Sequence, residues 1–565
     1  MQDQFDAIVI GSGMSGGWAA KELCEKGLKT LVLERGNDVQ AGVDYVGENK
    51  APWDMEFRDN VHPEVIKDNP VQSLCYAFRE STRNFFADDK LNPYSQEKGK
   101  PFAWIRGDQV GGRSLLWARH CYRWSDLDFE ANKRDGHGVD WPIRYADIAP
   151  WYDHVERFVG ISGSSENIPQ LPDGIFQPPM ELNCVEKEAK AKIEARFDDR
   201  KLIIGRVAHL TQPTEEQQAL GRGNCQYRNQ CQRGCSYGAY FSSVSATLPA
   251  ARNSGNMTLI SDTHVDSLIY DPASGRATGV RVINRKTNVR TEYHGKLIFL
   301  CASTLGTLQI MLNSTSEAMP NGFANRSGVL GQYIMDHHSG VGARGNHPGF
   351  KDRYFSGRRP TGIYVPRFRN VGNDKQNDFL RGYGFQGGAD RPSWQSTGNG
   401  KGFGAEFKAS LREPGGWNFH LGAFGEMLPE ARNRVTLHKT KTDKWGVPQI
   451  HIDVALSDDA MRMRKDMAKT AVEMLKAADL VDVEPFDNGP YPGLGIHEMG
   501  GARMGRDPET SVLNAYNQCH DVANVFVTDG AAMASSACQN PSITYMALTA
   551  RAVDYAVQQL KAGKI

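Results

Sequence analysis

One motif near the start of the chain restricts the fold more than any other feature. Gly11-Ser12-Gly13-Met14-Ser15-Gly16 has G-x-G-x-x-G spacing. It stands between a short apolar strand pattern at residues 5–10 and a helical pattern at 15–26. A second buried-strand pattern at 29–33 ends at Glu34, 23 residues after Gly11. The motif alone is weak, and an ordinary glycine-rich turn is its plainer reading. Between a strand and a helix, with an acid closing the next strand, it specifies a β-α-β unit for a dinucleotide. Gly11 permits the tight turn, Gly13 lets a pyrophosphate approach the backbone, and Gly16 lets helix and strand pack closely. Ser15 lies at the helix start, where free N–H groups and a partial positive charge suit a diphosphate. Glu34 is placed to accept hydrogen bonds from ribose hydroxyls, with Arg35 beside it. Gly27 suits the position just past the helix end.

At 565 residues the chain is too long for one core, and two large domains are expected. Its 66 basic and 66 acidic side chains cancel, which argues against a general nucleic-acid or anionic-membrane binder. No apolar run approaches the ~18–20 residues of a membrane span. The first residues carry no basic-then-apolar export pattern, so the chain brings no signal of its own. Residues 40–100 read as polar and aromatic excursions, 340–455 as short strands of an antiparallel sheet, and 457–480 as a helix. Residues 525–528 form a strand pattern ending in Asp529-Gly530. Asn540 then reads as an N-cap and Pro541 as the first residue of a helix, with Ile543, Met546, Ala547, Ala550, Val553, Val557 and Leu560 on one apolar face.

Four segments together make the chain similar to the glucose–methanol–choline (GMC) oxidoreductases. They are residues 11–34; the glycine turn Arg106-Gly107-Asp108-Gln109-Val110-Gly111-Gly112-Arg113-Ser114; residues 301–307 with 331–337 behind them; and His497-Glu498-Met499-Gly500-Gly501-Ala502-Arg503-Met504-Gly505 followed by Asp529-Gly530 and Asn540-Pro541. The third departs most, lacking the family's usual Ser-Pro. The resemblance implies an α/β plus α+β architecture: a Rossmann-type FAD-binding domain and a second domain of antiparallel sheet backed by helices. The expected division is 1–340 with 490–565 for FAD, including a Cys-rich insertion near 221–240, and 341–489 for substrate. It also implies that Arg106, Gly111, Gly112, Ser114, Asp529, Gly530, Asn540 and Pro541 join the first motif around FAD. Some relatives attach FAD through a histidine just before a tryptophan. Here Ser114-Leu115-Leu116-Trp117 has Leu116 at that place, so noncovalent FAD is expected.

His497 matches the family's catalytic histidine and Asn540 the second member of its pair. A lone histidine is more often structural, but alcohol oxidation needs a base for the O–H proton, and an imidazole is poised for that near neutral pH. An amide can both donate to and accept from the substrate hydroxyl. The pair His337-His338 suits packing or a place near the cofactor better than a metal site.

Three of the ten cysteines cluster as Cys225-x5-Cys231-x3-Cys235, with Arg228 and Arg233 between them as candidate counter-charges. Soft thiolates suit an iron–sulfur cluster or zinc, and plain thiols or a disulfide also remain open. The spacing is similar to that of bacterial GMC sugar dehydrogenases, including glucoside 3-dehydrogenases and gluconate dehydrogenase large subunits, which carry a cluster. Three ligands favour 3Fe–4S, and a remote fourth cysteine would allow 4Fe–4S. The resemblance implies a dehydrogenase for a sugar or glycoside, C3 favoured, passing electrons through the cluster to a cytochrome c-type acceptor. A small subunit is also implied, which would carry the chain to the periplasm by co-export; without it the chain stays cytoplasmic. Rival readings are an oxygen-using, pyranose-oxidase-like enzyme and a non-redox flavin-dependent lyase.

Overall fold

The computed structural model describes residues 4–354, 362–391, 402–410, 412 and 415–565. Strand β1 (Gln4–Ile10), helix α1 (Met14–Glu25) and strand β2 (Thr30–Leu33) form the first unit. Helix α1 closes with two bonds of a Schellman motif: Leu28 N–H donates to the Leu23 carbonyl at 3.1 Å and Gly27 N–H to that of Cys24 at 3.0 Å. Gly27 adopts the left-handed conformation this requires, at φ +86°. At the other end, a Cβ on Gly16 would stand 1.9 Å from the Gly11 carbonyl oxygen. The helix therefore rests directly on the turn that precedes it.

Strands β3 (Met257–Ile260), β4 (Thr263–Asp271), β5 (Arg276–Asn284) and β6 (Arg290–Leu300) complete most of a seven-stranded sheet in the order β3-β2-β1-β6-β5-β4. Strands β2 and β6 both run parallel to β1. Strand β6 is long enough to serve two neighbours. Its residues 290–294 pair antiparallel with β5, while 298–300 pair parallel with a strand near the C-terminus. Parallel strands are covered on both faces, which is why residues 7–10 of β1 and 31–33 of β2 are unbroken apolar runs.

The second sheet contains β7 (His338–His347), β8 (Tyr383–Asp390) and β9 (Trp417–Gly425), followed in the chain by helix α2 (Asp458–Ala477) and strand β10 (Val481–Asp487). Its order is β10-β7-β9-β8, extended by Ile363–Val365 and Ile203–Ile204, with every neighbouring pair antiparallel. Side chains alternate across it. Val341, Phe385, Phe419 and Leu421 face Met463, Met467, Met474 and Leu475 of α2 in one core. The opposite face, with Gln386, Gly422 and Phe424, lies over the cavity described below. A five-stranded sheet joins the two halves, pairing Gln332–Met335 with Met499–Gly501 and with Arg434–Thr442.

The chain ends in β11 (Val525–Val527) and helix α3 (Ser542–Lys561). The expected apolar face of α3 is buried from Ile543 to Val557, with Leu560 at its edge. The helix start differs by one residue from the sequence reading. Pro541 takes the cap position, and its carbonyl accepts the first helical bond, from Tyr545 N–H at 3.0 Å. Asn540 does not cap the helix, because its amide is engaged on the cavity side.

Replacing Gly16 by Ala drives a methyl group into the Gly11 carbonyl. The expected result is a loss of about 1–3 kcal/mol of stability, the usual range for overpacking, with weakened cofactor retention. Denaturant melts of the two proteins side by side check it, and equal midpoints would contradict the close contact.

Candidate active site

A cavity runs between the two halves of the molecule. At one end it is lined by Gly11, Gly13, Ser15, Glu34, Arg35, Arg106, Gly112 and Ser114, all singled out in the sequence. Asp529, Gly530, His497 and Asn540 line it further along. Gly16, Gly111 and Pro541 do not line it. Gly16 serves helix packing. Gly111 sits at φ +88° with its N–H bonded to Ser12 Oγ at 2.9 Å, so it shapes the turn that faces α1. Pro541 begins the last helix.

The dinucleotide end suits the expected group on its own geometry. No side chain caps α1, so its first N–H groups stay open to the cavity. A Cβ at Gly13 would meet nothing but the Gly111 carbonyl, 3.9 Å away, so a phosphate can approach the backbone there. Glu34 Oε2 accepts from Ser12 N–H at 3.0 Å and Ser12 Oγ–H at 2.6 Å, and Oε1 from Gly36 N–H at 2.9 Å. These bonds hold the carboxylate in place with acceptor capacity to spare. Burial nevertheless pushes its pKa up. Arg106 is buried against Trp104, its guanidinium 4.1 Å from the ring centroid, and bonded to the Asn92 carbonyl. Arg35 meets Asp108 at 3.3 Å. Leu116 lines the cavity next to Trp117.

At the other end two histidines form a chain of defined tautomers. His337 Nε2 lies 3.1 Å from the Ser536 carbonyl oxygen, which can only accept, so Nε2 carries a proton. Burial pulls the His337 pKa down to about 4, so near neutral pH its Nδ1 is bare. That Nδ1 lies 2.9 Å from His497 Nδ1, which must therefore be the donor. His497 is left with an unprotonated Nε2. Burial, then the neighbouring His337 and Arg113, hold its pKa well below the usual imidazole range. Asn540 Nδ2 stands 3.3 Å from His497 Nε2, and Asn540 Oδ1 accepts from Gln386 Nε2 at 2.6 Å. Asp336 fixes the backbone here, accepting from the N–H groups of His497, Gly493 and Gly495 at 2.9–3.0 Å. Its pKa rises to about 7 through burial and the nearby Glu498. Glu498 is paired with Arg113 at 2.8 Å.

Sequence reasoning missed Gln386 and the specific task of His337. Gln386 lies on β8, within the short strands expected over 340–455, and no motif marks it. Trp53 is exposed and does not line the cavity. Asp336-His337 stands out in the sequence only as an unusual run.

The three clustered cysteines line a second, smaller cavity together with His209, Arg228, Tyr237 and Tyr240. All ten cysteines are free thiols. None of the other seven lines this cavity, which leaves a fourth thiolate ligand without a source there. Burial raises the Cys225 thiol, and raises that of Cys231 to about 11. Among the described residues, no three His, Cys, Asp or Glu side chains stand close enough to hold a metal ion. This counts against a zinc site. An iron–sulfur cluster is wider than one ion, and its thiolates stand further apart. Arg228 and Arg233, expected to balance the thiolates, are each paired with a carboxylate, Glu48 and Asp59.

The fold and the cavity define an oxidoreductase of the Rossmann type with a second, sheet-based domain. The chain belongs to the GMC oxidoreductase family, whose members use FAD: residues 5–339 match its N-terminal model and 429–549 its C-terminal model. It is similar over 98% of its length to the 2-methyl-1,2-propanediol dehydrogenase of Mycolicibacterium austroafricanum, at 28% identity and 95% of that protein. It is 25% identical to the fructose dehydrogenase large subunit of Gluconobacter japonicus, across 99% of this chain and 98% of the other. Among solved structures, pyridoxine 4-oxidase from Mesorbium loti shares the fold, with a TM-score of 0.60 at 15% identity over 98% of this chain and 99% of that one.

The tautomer chain is directly measurable. Nitrogen-15 spectra of histidine-labelled protein between pH 6 and 8 should place the proton of His337 on Nε2 and that of His497 on Nδ1. A His497 protonated on Nε2 would contradict the assignment.

Proposed function

We propose that this chain oxidises a secondary hydroxyl of a sugar or glycoside, C3 favoured, with His497 as the base and noncovalently held FAD as the hydride acceptor. The observation that carries this reading is the bare Nε2 of His497, aimed into the cavity beside Asn540. FAD would lie along Gly11, Gly13, Ser15 and Glu34, with Arg106, Ser114, Asp529 and Gly530 further along, and when bound it takes up hydride from the substrate carbon.

His497 Nε2 accepts the hydroxyl proton of the substrate, which makes the adjacent C–H bond a better hydride donor. The proton needs no rearrangement to arrive, because His337 and Ser536 already hold the opposite edge of the ring. Asn540 keeps its NH2 toward the reacting oxygen, because Gln386 occupies its carbonyl. That donor steadies the hydroxyl as charge builds on it and aligns the C–H bond. Polar groups at the sheet end, Gln386 and Ser339 among them, suit a substrate with several hydroxyls. Full-length similarity to a fructose dehydrogenase subunit supports the sugar class.

Cys225, Cys231 and Cys235 would hold an iron–sulfur cluster, which passes electrons singly to an external acceptor. Three thiols on one cavity, with no fourth at hand, favour 3Fe–4S. Transfer to a cytochrome c-type acceptor and assembly with a small subunit that carries the chain to the periplasm belong to the same proposal. The name of the Gluconobacter relative, a large subunit, is in keeping with it.

Anaerobic mixing with sugars and glycosides should bleach the flavin, with product NMR placing the new carbonyl. His497→Ala should keep FAD and slow bleaching by roughly 10²–10⁴-fold, the worth of a general base. Because the His497 pKa is depressed, its neutral form persists on acidification. The wild-type bleaching rate should therefore stay level from pH 8 down to pH 6, and a fall with an apparent pKa near about 6.5 would mark an ordinary imidazole instead. Each of Cys225→Ser, Cys231→Ser and Cys235→Ser should lose iron while retaining flavin bleaching by substrate. Wild-type protein purified anaerobically without iron would remove the cluster from the proposal.

A further inference from the structure

Strand β8 sends Tyr383 and Phe385 into the core against α2 and Gln386 to the opposite face, over the cavity. Across the ladder Gln386 stands opposite Gly422 of β9. A Cβ on Gly422 would meet nothing but the Gln386 main-chain carbonyl oxygen, 3.8 Å away. The missing side chain leaves the Gln386 amide uncovered on that side, and both residues line the cavity. Gln386 Nε2 donates to Asn540 Oδ1 at 2.6 Å. Its Oε1 meets no donor among the described residues and is not sealed inside the protein.

The direction of each hydrogen bond in this row follows from the one before it. The Ser536 carbonyl only accepts, so His337 donates to it through Nε2 and, as a neutral ring, accepts at Nδ1. His497 then donates through Nδ1 and accepts at Nε2. Asn540 must therefore turn Nδ2 toward His497, 3.3 Å away, and Oδ1 toward Gln386. Gln386 can meet that oxygen only with Nε2, because its own carbonyl oxygen would set two acceptors face to face. One main-chain carbonyl thus sets the polarity of four side chains. At the far end of the row Gln386 Oε1 is left as an acceptor.

We propose that Gln386 Oε1 accepts a hydrogen bond from a second hydroxyl of the substrate, on a carbon next to the one oxidised, so that the site selects vicinal diols by the direction of its hydrogen bonds. This deepens the reading of the site given above and rests on it, since His497 and Asn540 hold the reacting hydroxyl. Asn540 and Gln386 touch, so the two hydroxyls that they hold are neighbours as well. A bound substrate strips water from Oε1, and an acceptor covered without a donor is costly. A hydroxyl supplies that donor. A hydrogen, a fluorine, an ether oxygen or a carbonyl does not. The second hydroxyl is unchanged in the product, so Gln386 takes no part in moving the proton or the hydride and acts on specificity.

The first arm of the test uses the wild-type holoenzyme alone. Anaerobic flavin bleaching is timed with a methyl glucoside and with its deoxy and deoxyfluoro forms at the two positions flanking the oxidised carbon, which product NMR locates. The same is done with trans-1,2-cyclohexanediol, cyclohexanol and 2-fluorocyclohexanol. At one flanking position the deoxy and the fluoro sugars should both lose at least about tenfold in second-order rate, because neither donates to Oε1. A fluoro sugar that regains the parent rate would mean that the site donates to this hydroxyl, and would overturn the proposal. Deoxygenation without effect at both positions would overturn it and leave the sugar reading intact. Bleaching by the cyclohexanediol but by no glycoside, with cyclohexanol and 2-fluorocyclohexanol slow, would remove the sugar class and support the inference. The second arm is Gln386→Leu, with its FAD content measured. Loss of the bond to Asn540 slows every substrate alike, so the ratio of parent to deoxy rates reads the second hydroxyl alone. That ratio should collapse toward unity, and a ratio equal to that of the wild type would assign the recognition to another residue and overturn the proposal.

Discussion

The close contact between helix α1 and the turn before it underlies the rest of the molecule. Gly16 can lie on the Gly11 carbonyl only because neither residue carries a side chain, and a Cβ on Gly11 would strike the Cys301 carbonyl at 2.4 Å. That three-way approach points the open end of α1 at the cavity. It also brings the end of β6 against β1, where residues 298–300 pair with β11. The loop after β11 leads to Asp529 and Asn540. A backbone packing constraint at residues 11–16 therefore helps place groups more than 500 residues away in the chain.

The end of the cavity around His497 depends on a second constraint, the distribution of protons among buried groups. His337 and His497 share one hydrogen bond, and the Ser536 carbonyl decides its direction because it cannot donate. Burial keeps both rings neutral, so His497 holds an unprotonated Nε2 without a carboxylate beside it. The carboxyl groups nearby are committed elsewhere: Asp336 to three backbone N–H groups and Glu498 to Arg113.

Much of the dinucleotide end was legible in the chain, because its chemistry is carried by backbone. Glycines at set spacings, a helix start and a carboxylate at a strand end are local features, and local sequence encodes them. His497 and Asn540 were legible through short motifs. The start of α3 was misplaced by one residue because Asn540 looks like a cap from its neighbours alone, whereas Gln386 and His497 engage its amide. Gln386 itself lies on an alternating strand whose outward positions accept many residue types, so nothing local distinguishes it. The cysteine spacing was evident, with Arg228 and Arg233 between the thiols, but their carboxylate partners were not, because only folding brings Glu48 and Asp59 to them.

By itself the sequence determined the β-α-β unit, the turn at residues 106–114 and the helical and strand periodicities of the two halves, because each depends on side chains within a few residues of one another. The tertiary structure alone decided which nitrogen of His497 is unprotonated, which amide orients Asn540 and which carboxylates meet Arg228 and Arg233. Each of these depends on hydrogen bonds and desolvation between groups far apart in the chain. A residue's proton, or its charge, belongs to its surroundings, and those exist only once the two sheets have closed over the cavity.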